Sequence, residues 1–520
     1  MLQKNNHKKF LFLTIVLSII VNFSFLEYNN YLIRKSNPDN ININAKSLVY
    51  GQTVFSVDNE YYLSPVDNYL QGKGWKRGTA VSNGDYFRRV PGYSAVYLFF
   101  VKIFGHPAGH LFLKIFQLLL FVSTIPIIFY LCRFISGKPA SRLVTLTYAL
   151  IPLISSWTYY TLTESISPAL VIYYFYFLLK AYNSEVQNIK LKNYLFASLF
   201  FVFGVLTRPY IALAGLPLIV FTFRDFIRQR PTLWLRNFAV IWMIPLLFIG
   251  SWTLRNYLLT HEFVALEKSV HPQTLDRMKP DFRGFWAFAK CWGEDGFVLN
   301  TYHIPFFFAA IRGDTSSVYI ENIVKAWPPK VVNHFGHDRL FSVLKNYQYA
   351  ALKTKPYVDS VKAMPDHFLP EQLAVEKEFE TLVSEYRKTF FIDYWFKTPL
   401  IYLKRMVVNS NTSNIYFFQE ENRDKKYVNF YRYLLLAVHL FLYLCLFLNF
   451  IIMKGFTKRL LFVYVPLLFV FFFIVVHREI EQRYMLPVLP ILIIGSAYVV
   501  QKIFQIIAGI IILKPITANK

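Results

Sequence analysis

Apolar residues occur along the chain in blocks of about 14 to 24 residues, and short stretches rich in lysine and arginine separate these blocks. A helix needs about 20 mostly apolar residues to cross the hydrocarbon core of a bilayer. The pattern therefore predicts an all-α polytopic membrane protein with a bundle of about ten transmembrane helices. The predicted spans are residues 9–26, 110–131, 141–157, 166–182, 194–207, 210–223, 237–256, 430–453, 460–476 and 485–506.

The composition agrees with this pattern. The chain has 520 residues, of which 55% are hydrophobic and 17% are charged, and its mean hydropathy is +0.34, which is too apolar for an ordinary soluble protein. Lysine and arginine outnumber aspartate and glutamate by 56 to 31. In a soluble protein this excess would suggest nucleic acid as a partner, but here much of it flanks the apolar blocks, so the lipid bilayer is the expected partner and nucleic acid is not.

Basic residues also predict the orientation. The N-terminal leader carries Lys4, Lys8 and Lys9 before an apolar run without a cleavage signal, so we expect a retained anchor with a cytoplasmic N-terminus. The C-terminus is then cytoplasmic as well, and the protein is predicted in the inner (plasma) membrane. The further clusters on the same side are Arg133, Lys138 and Arg142; Lys190 and Lys192; Arg224, Arg228, Arg230 and Arg236; and Lys454, Lys458 and Arg459.

Two long segments, 27–109 and 257–429, are then extracytoplasmic, whereas the cytoplasmic loops are too short to hold a nucleotide-binding domain. An active site is therefore expected on the outer face. The apolar stretch Val96–Phe104 is too short to span and predicts an outer juxtamembrane helix. Arg208-Pro209 predicts the outer tip of a helical hairpin.

The chain is accordingly expected to have three parts. Residues 1–256 form a transmembrane catalytic module that contains the first outer loop. Residues 257–429 form a mixed extracytoplasmic cap with a helix near Glu371–Arg387, and residues 430–520 contain the C-terminal transmembrane helices.

Acidic residues provide the candidate catalytic groups. Asp58 and Glu60 lie in the first outer loop, where a carboxylate can act as a general base at the bilayer surface; alternatively they are solvated loop charges or mark a helix N-terminus. Glu164 lies at the outward junction of two spans, where burying a charge is costly, although a helix-capping role with Thr163 is the alternative.

Arginines near the same face are candidates for binding phosphate, because a guanidinium offers paired donors to phosphate oxygens. Such arginines also commonly extend to lipid headgroups or pair with nearby acids. The candidate substrate-binding residues are Tyr61, Arg88, Arg89, Arg208, Arg255, His477, Arg478, Arg483 and Tyr484.

Metal ligands are sparse in the sequence. Its three cysteines are far apart, and the pair His334 and His337 beside Asp338 lacks a clear third ligand. We predict no metal site. A divalent cation is conceivable at Asp58 and Glu164 only if another group joins them, so the cofactor is left open.

These motifs resemble the GT-C superfamily of integral-membrane glycosyltransferases, particularly the bacterial branch that includes the protein O-mannosyltransferases and the lipid A aminoarabinose transferase. The resemblance covers residues 1–260 best. It rests on the acidic loop ahead of Tyr61-Tyr62 and on the motifs Arg89-Val90-Pro91-Gly92-Tyr93, Thr163-Glu164, Thr207-Arg208-Pro209 and Arg483-Tyr484-Met485-Leu486-Pro487.

The resemblance implies transfer of a sugar, with inversion, from a polyprenyl-phosphate donor to a glycan, lipid or protein acceptor on the outer face. Asp58 would be the base and Glu164 would position the acceptor or a metal, while Arg208, Arg255 or Arg483 neutralises the departing lipid phosphate. Family members commonly have two adjacent acids in this loop, but here Asn59 separates Asp58 from Glu60, so either acid can be the base.

Two other functions fit the apolar pattern. A transporter or flippase of lipid-linked sugars explains the spans equally well, but ionisable groups in mid-bilayer and two similar halves, which it would favour, are not evident. An O-antigen ligase or polymerase also uses lipid-linked sugars, yet its catalytic loop usually lies late in the chain. The early Asp58 loop therefore favours the transferase.

Overall fold

The computed structural model describes residues 2–38, 47–56, 58–78, 83–228, 231–273, 279–294, 296–359, 364–408, 415–419, 422 and 424–513. Helices dominate these ranges. The first ten are α1 (Leu2–Ser36), α2 (Glu60–Leu70), α3 (Gly92–Phe104), α4 (His106–Ser123), α5 (Ile125–Ile135), α6 (Lys138–Leu150), α7 (Ser167–Asn183), α8 (Gln187–Thr207), α9 (Leu216–Arg228) and α10 (Pro231–Thr260).

The second half of the chain is also helical. Its helices are α11 (Pro280–Ala289), α12 (Ile304–Ile311), α13 (Val318–Ala326), α14 (Pro329–Phe335), α15 (His337–Leu352), α16 (Lys355–Asp359), α17 (Pro370–Thr389), α18 (Thr398–Val408), α19 (Lys426–Ile452), α20 (Phe456–His477, with π-helical turns) and α21 (Leu489–Leu513). Two short strands, β1 (Leu48–Tyr50) and β2 (Thr53–Phe55), pair as an antiparallel hairpin.

The predicted all-α membrane fold is confirmed. Among the described residues, seven helical stretches are long and apolar enough to cross a bilayer: His7–Ser36, His106–Ile135, Gln187–Thr207, Trp234–Thr260, Lys426–Ile452, Phe456–His477 and Leu489–Gly509. The other three predicted spans fall on the shorter helices α6, α7 and α9, which have 13, 17 and 13 residues. The short apolar helix expected at Val96–Phe104 lies within α3.

The predicted span 141–157 is wrong beyond residue 150. The helix α6 ends at Leu150, and Ile151 is extended, with φ −85° and ψ 123°. A residue that precedes proline avoids the helical region, and Pro152 follows Ile151. Residues 151–166 continue as an irregular, almost wholly buried segment with 3₁₀ turns at Ser155–Trp157 and Thr163–Ser165.

This buried segment holds the first loop in place. The Val54 amide of β2 donates to the carbonyl of Tyr159 (2.7 Å), and the Thr161 amide donates to the carbonyl of Val54 (3.1 Å). The two backbone hydrogen bonds fix the register of β2 against residues 159–161. The chain just after β2 and the chain just after Thr161 are therefore brought side by side.

The predicted break at Arg208-Pro209 is present. The helix α8 ends at Thr207, Arg208 is extended with φ −146° and ψ 113°, and a 3₁₀ segment from Pro209 to Gly215 leads into α9. The start of α3 packs directly against this break, since a Cβ on Gly92 would lie 2.5 Å from the backbone oxygen of Leu206. Glycine at residue 92 is therefore required for this close approach.

The described part of the cap predicted at 257–429 is mostly helical from Pro280 onward, whereas residues 261–273 form no helix. Helices α11 to α17 surround an apolar core of their own, in which Phe285, Phe288, Trp327, Tyr347 and Phe379 are buried. A separate, larger apolar core joins the helices of the two ends of the chain. The core of the cap runs from Phe282 to Tyr394, whereas Met406, residues 415–418 and Val428 belong to the larger core. The proposed division of the chain near residues 257 and 429 stays a prediction.

Candidate active site

Four of the predicted residues meet in one cluster of charges. The Arg483 guanidinium donates to the Asp58 carboxylate, 425 residues away in sequence, and its Nε lies 3.4 Å from Oε1 of Glu164. Arg208 donates through Nη2 to the same oxygen of Glu164. The two acids are therefore linked through Arg483. We call Asp58, Glu164, Arg208 and Arg483 the charge cluster.

Access to solvent differs sharply within the charge cluster. The Glu164 side chain is 0% exposed and Arg208 is 9% exposed, whereas Arg483 is 17% and Asp58 is 34% exposed. A ligand that arrives from solvent can therefore reach Asp58 and the edge of Arg483 first. Glu164 lies beneath them and contacts the two arginines from the interior.

The buried segment 151–166 positions Glu164. The Thr163 hydroxyl donates to Oε2 of Glu164 (3.0 Å) and accepts from Nε of Arg208 (2.5 Å). Beside it, the Ser165 hydroxyl donates to Gln117 of α4 (2.6 Å). Both oxygens of Glu164 therefore have partners, which is the condition under which a buried carboxylate is tolerated.

The N-terminus of α2 positions Asp58. Asn59, which is fully buried, donates through Nδ2 to the Thr161 hydroxyl (3.2 Å), and α2 begins at the next residue, Glu60. The Asn59 side chain thus anchors this turn to the buried segment. The structure therefore gives a local reason for the asparagine that separates the two acids.

Charge controls protonation in the cluster. Burial alone would raise the pKa of Asp58, but the charge and hydrogen bond of Arg483, with smaller contributions from Arg89 and Arg208, hold it below its usual range. Burial disfavours the charged form of both cluster arginines, but the combined attraction of Glu164 and its neighbours exceeds this effect and raises the pKa of both. The neighbours are Tyr210 and Tyr62 for Arg208, and Glu481 and Asp58 for Arg483. Asp58 is therefore an ionised carboxylate that Arg483 stabilises.

A second group of cations surrounds Tyr61. The guanidinium carbons of Arg77, Arg88 and Arg89 lie 4.1, 5.0 and 5.3 Å from the centre of its ring. Cation–π attraction to the ring offsets part of the repulsion among these three charges, and the pairing of Arg89 with Glu267 (3.4 Å) offsets more. Of the two acids in the loop, Glu60 is on this side: it is 56% exposed and lies 3.5 Å from Nε of Arg77.

Two predicted arginines are engaged elsewhere. Arg255 donates to the backbone carbonyls of Trp75 (2.5 Å) and Tyr86 (2.6 Å), so it braces the first loop. Arg478, in the left-handed region with φ 53°, stacks 3.5 Å from the ring centre of Tyr394 and donates to that residue's carbonyl (2.8 Å). The structure does not bring either residue into the charge cluster.

The remaining predicted residues, His477 and Tyr484, belong to an aromatic wall. Their ring centres are 5.8 Å apart, and Tyr484 also stacks on Phe473 at 5.1 Å. Tyr210 joins this wall, 6.3 Å from Tyr484, and its hydroxyl accepts from Arg208. The wall connects the charge cluster to the end of α20.

Several partners of the site were not among the predicted site residues: Arg77, Thr163 as a bridging hydroxyl, Tyr210, Glu267 and Glu481, the last of which was expected only as a nearby acid that could pair with an arginine. Glu481 accepts from Nε of Arg483 (2.6 Å), and Glu267 lies 3.4 Å from Nη1 of Arg89. Their closeness to predicted residues in sequence was the available signal for Tyr210 and Glu481. Nothing in the sequence indicated the pairing of Glu267 with Arg89.

The acids do not form a cation site in this arrangement. Within the described ranges, no group of three or more histidine, cysteine, aspartate or glutamate side chains is placed to hold a metal ion. Arg483 supplies positive charge between Asp58 and Glu164, where a divalent cation would have to compete with it. The histidines considered earlier contact different acids, His334 with Glu385 (3.3 Å) and His337 with Glu321 (3.2 Å).

Comparison with known proteins gives one family match. Residues 89–252 match the family described as dolichyl-phosphate-mannose-protein mannosyltransferase. This match, which covers about a third of the chain, confirms the resemblance to the GT-C superfamily over residues 89–252. No curated protein sequence matches the chain.

Solved structures with distant similarity include two glycosyltransferases. ArnT from Cupriavidus metallidurans, in the apo state, has a TM-score of 0.35 and 14% identity over 95% of this chain and 78% of that chain. The oligosaccharyltransferase AglB from Archaeoglobus fulgidus, in complex with an inhibitory peptide and a dolichol-phosphate, has a TM-score of 0.46 and 12% identity over 100% of this chain and 52% of that chain. This chain thus spans about half the length of AglB.

The burial of Glu164 predicts how the cluster responds to substitution. Arg208→Met leaves the buried carboxylate short of one partner and is expected to destabilise the fold by about 3–5 kcal/mol. Adding Glu164→Gln removes the unpaired charge and should recover much of that loss. Thermal unfolding of the purified single and double variants in one detergent measures both effects. A double variant that is no more stable than Arg208→Met would contradict the ion-pair account.

Proposed function

We propose that this GT-C-type protein transfers a sugar, with inversion at the anomeric carbon, from a polyprenyl-phosphate donor to a hydroxyl of a glycan, lipid or protein acceptor. The proposal rests on the contact between Asp58, a solvent-accessible carboxylate, and Arg483. Arginine is a side chain that commonly binds phosphate. A base for the acceptor and a cation for the leaving group are thereby side by side. Both are needed for displacement at a sugar carbon that carries a phosphate.

The geometry favours Asp58 over Glu60 as the base. Asp58 contacts Arg483 within the charge cluster, whereas Glu60 is directed to Arg77 at 3.5 Å and is largely exposed. In the proposed step, the oxygen of the acceptor hydroxyl attacks the anomeric carbon from the face opposite the phosphate, and Asp58 takes the proton of that hydroxyl. The bond from that carbon to the phosphate oxygen breaks, and the lipid phosphate leaves with the electron pair.

Arg483 is proposed to bind the lipid phosphate. It is more exposed than Arg208, and in the proposed mechanism the phosphate displaces Asp58 from its guanidinium group. A phosphate that draws Arg483 away removes the main charge that lowers the pKa of Asp58, so the carboxylate becomes a stronger base. Donor binding would thus activate the base.

Glu164 is proposed to be a positioning residue. Its full burial and its contacts with Arg208, Arg483 and Thr163 leave no oxygen open to a substrate. It holds the two guanidinium groups at one place and offsets their mutual repulsion. This role differs from the contact with acceptor or metal that the family resemblance implied.

The proposed topology places this site outside the plasma membrane. The chain would have cytoplasmic termini, since the basic flanks of the spans lie at the end of the bundle away from the charge cluster. Donor and acceptor would then both be reached from the extracytoplasmic side. The cap beyond residue 257 is in contact with the site segment through Arg478 and through the ion pair of Lys290 with Glu479 (2.7 Å).

A transfer assay tests this function. Purified protein is incubated with a panel of polyprenyl-phosphate sugars, and kcat is compared for wild type, Asp58→Asn and Glu60→Gln. Asp58→Asn should lower kcat by about 10²–10⁴-fold, because the general base is lost, while Glu60→Gln stays within a few fold of wild type. The reverse order would assign the base to Glu60. If folded protein moves lipid-linked sugar between leaflets and transfers none, it is a flippase instead.

The pH dependence of transfer should report the lowered pKa of Asp58. The base works only when ionised, so kcat/KM falls as the pH drops through the pKa of the free enzyme. In wild type this decline is expected below the usual range of an aspartate, because Arg483 lowers the pKa. In Arg483→Gln, the residual activity should decline at a higher pH, since burial then dominates. Each pH profile of kcat/KM is normalised to its own plateau. If the profiles of wild type and Arg483→Gln then coincide, Arg483 does not lower the pKa of Asp58.

A further inference from the structure

A polar pocket lies between α5, α20 and α21. It has a volume of about 400 Å³, and among its lining residues are Arg133 of α5, Lys458 of α20, and Tyr498, Gln501 and Lys502 of α21. This volume is within the range of about 300–1,000 Å³ that small-molecule sites commonly have. We call it the basic pocket.

The basic pocket is remote from the charge cluster. Lys502 is 13 residues beyond Leu489, the first residue of α21, and a helix rises about 1.5 Å per residue, so the two positions are about 20 Å apart. Lys458 is likewise 19 residues before His477, the end of α20, which corresponds to about 28 Å. Because Arg483 lies between His477 and Leu489, the pocket is at the opposite end of the bundle.

The three cations of the basic pocket have neutral contacts. Arg133 donates to the carbonyl of Ser136 (3.2 Å), and Lys502 donates to the amide oxygen of Gln505 (3.1 Å). The Lys458 ammonium lies 5.6 Å from the ring centre of Phe134. Among the residues that the structure describes, no ion pair joins Arg133, Lys458 or Lys502 to an acid. The pocket thus presents three positive charges and spare N–H donors.

A helix N-terminus at the wall adds to this positive potential. The helix α6 begins at Lys138, directly after Ser136 and Gly137, which line the pocket. Gln501 fixes α21 at this point, since its Oε1 accepts from the Gly137 amide (3.0 Å). The partial positive charge of a helix N-terminus favours an anion at the same place as the three side chains.

The outside of the pocket is apolar. On α21, next to Lys502, Ile503 is 40% exposed and Ile506 is 63% exposed, and on α5 Tyr130 is 39% exposed. Acyl chains can pack on such a surface while a charged group enters between the helices. Exposed apolar side chains on the helices that form a cationic pocket suit an anion with acyl chains better than a free ion.

We propose that the basic pocket binds a phosphate-bearing anion, and specifically the head group of an anionic phospholipid. The lipid lies in the leaflet opposite the charge cluster, which is the cytoplasmic leaflet in the proposed topology. Guanidinium and ammonium groups bind the phosphate oxygens, and the apolar faces of α5 and α21 contact the acyl chains. The site is independent of the transferase reaction.

Lipid retention tests this proposal on the full chain. Wild-type protein is reconstituted in phosphatidylcholine nanodiscs that contain one tenth phosphatidylglycerol, and the retained lipids are counted by native mass spectrometry. The pocket variant Arg133→Gln/Lys458→Gln/Lys502→Gln is compared with Lys8→Gln/Lys9→Gln/Lys454→Gln, which loses the same charge from exposed residues outside the pocket. The pocket variant should retain at least about tenfold less phosphatidylglycerol, and the control should match wild type.

Inorganic phosphate separates the two sources of the anion. Phosphate is added to lipid-depleted protein at constant ionic strength, and the thermal midpoint is compared with that in chloride. If phosphate raises the thermal midpoint of wild type and of the control but not that of the pocket variant, while no variant differs in lipid retention, the site is one for free phosphate. That result would contradict binding of a phospholipid. Equal loss of phosphatidylglycerol in both triple variants, or no loss in either, would overturn the site itself.

Discussion

The site depends on one interaction, the sharing of Arg483 between the carboxylates of Asp58 and Glu164. Charges at the rim of a membrane bundle are costly to bury, so each one must be met by an opposite charge and by hydrogen bonds. Arg208 and Thr163 complete these contacts around Glu164. The four charged residues come from four separate parts of the chain, so their contacts hold together the loop after the first helix, two helical junctions and the segment before the last helix.

Proline residues create the two junctions from which the cluster is built. The helix α6 stops before Pro152, which releases residues 151–166 into the buried segment that carries Glu164. The helix α8 stops before Pro209, which leaves Arg208 extended and aimed at Glu164.

Much of this organisation was visible in the sequence. The apolar blocks predicted the helical membrane fold, and the Arg208-Pro209 break and the short α3 helix were found where they were expected. The end of α6 was missed because the apolar pattern continues through Pro152 although the backbone cannot. An apolar pattern indicates that residues are buried but does not show that their backbone is helical. The irregular segment after residue 150 is buried as fully as a helix would be.

The contacts within the site could not be predicted from the sequence, because they join residues far apart along the chain. Asp58, Glu164, Arg208 and Arg483 each stood out singly, but no local pattern joins residues that are 425 positions apart. The β2 contact with residues 159–161, which aligns Asp58 with Glu164, involves only a three-residue strand. Arg255 and Arg478 were predicted to bind phosphate because they are arginines. The distant backbone carbonyls to which they donate were not evident from the sequence.

In the proposed mechanism, Asp58 and a lipid phosphate compete for Arg483. Equilibrium binding of a polyprenyl phosphate to purified protein tests it directly, with wild type, Asp58→Asn, Arg483→Gln and the control Glu60→Gln compared at one ionic strength. Competition predicts about tenfold tighter binding to Asp58→Asn, because the competing carboxylate is gone. Arg483→Gln should bind more weakly, and the control should bind as wild type does. Unchanged or weaker binding to Asp58→Asn would contradict it.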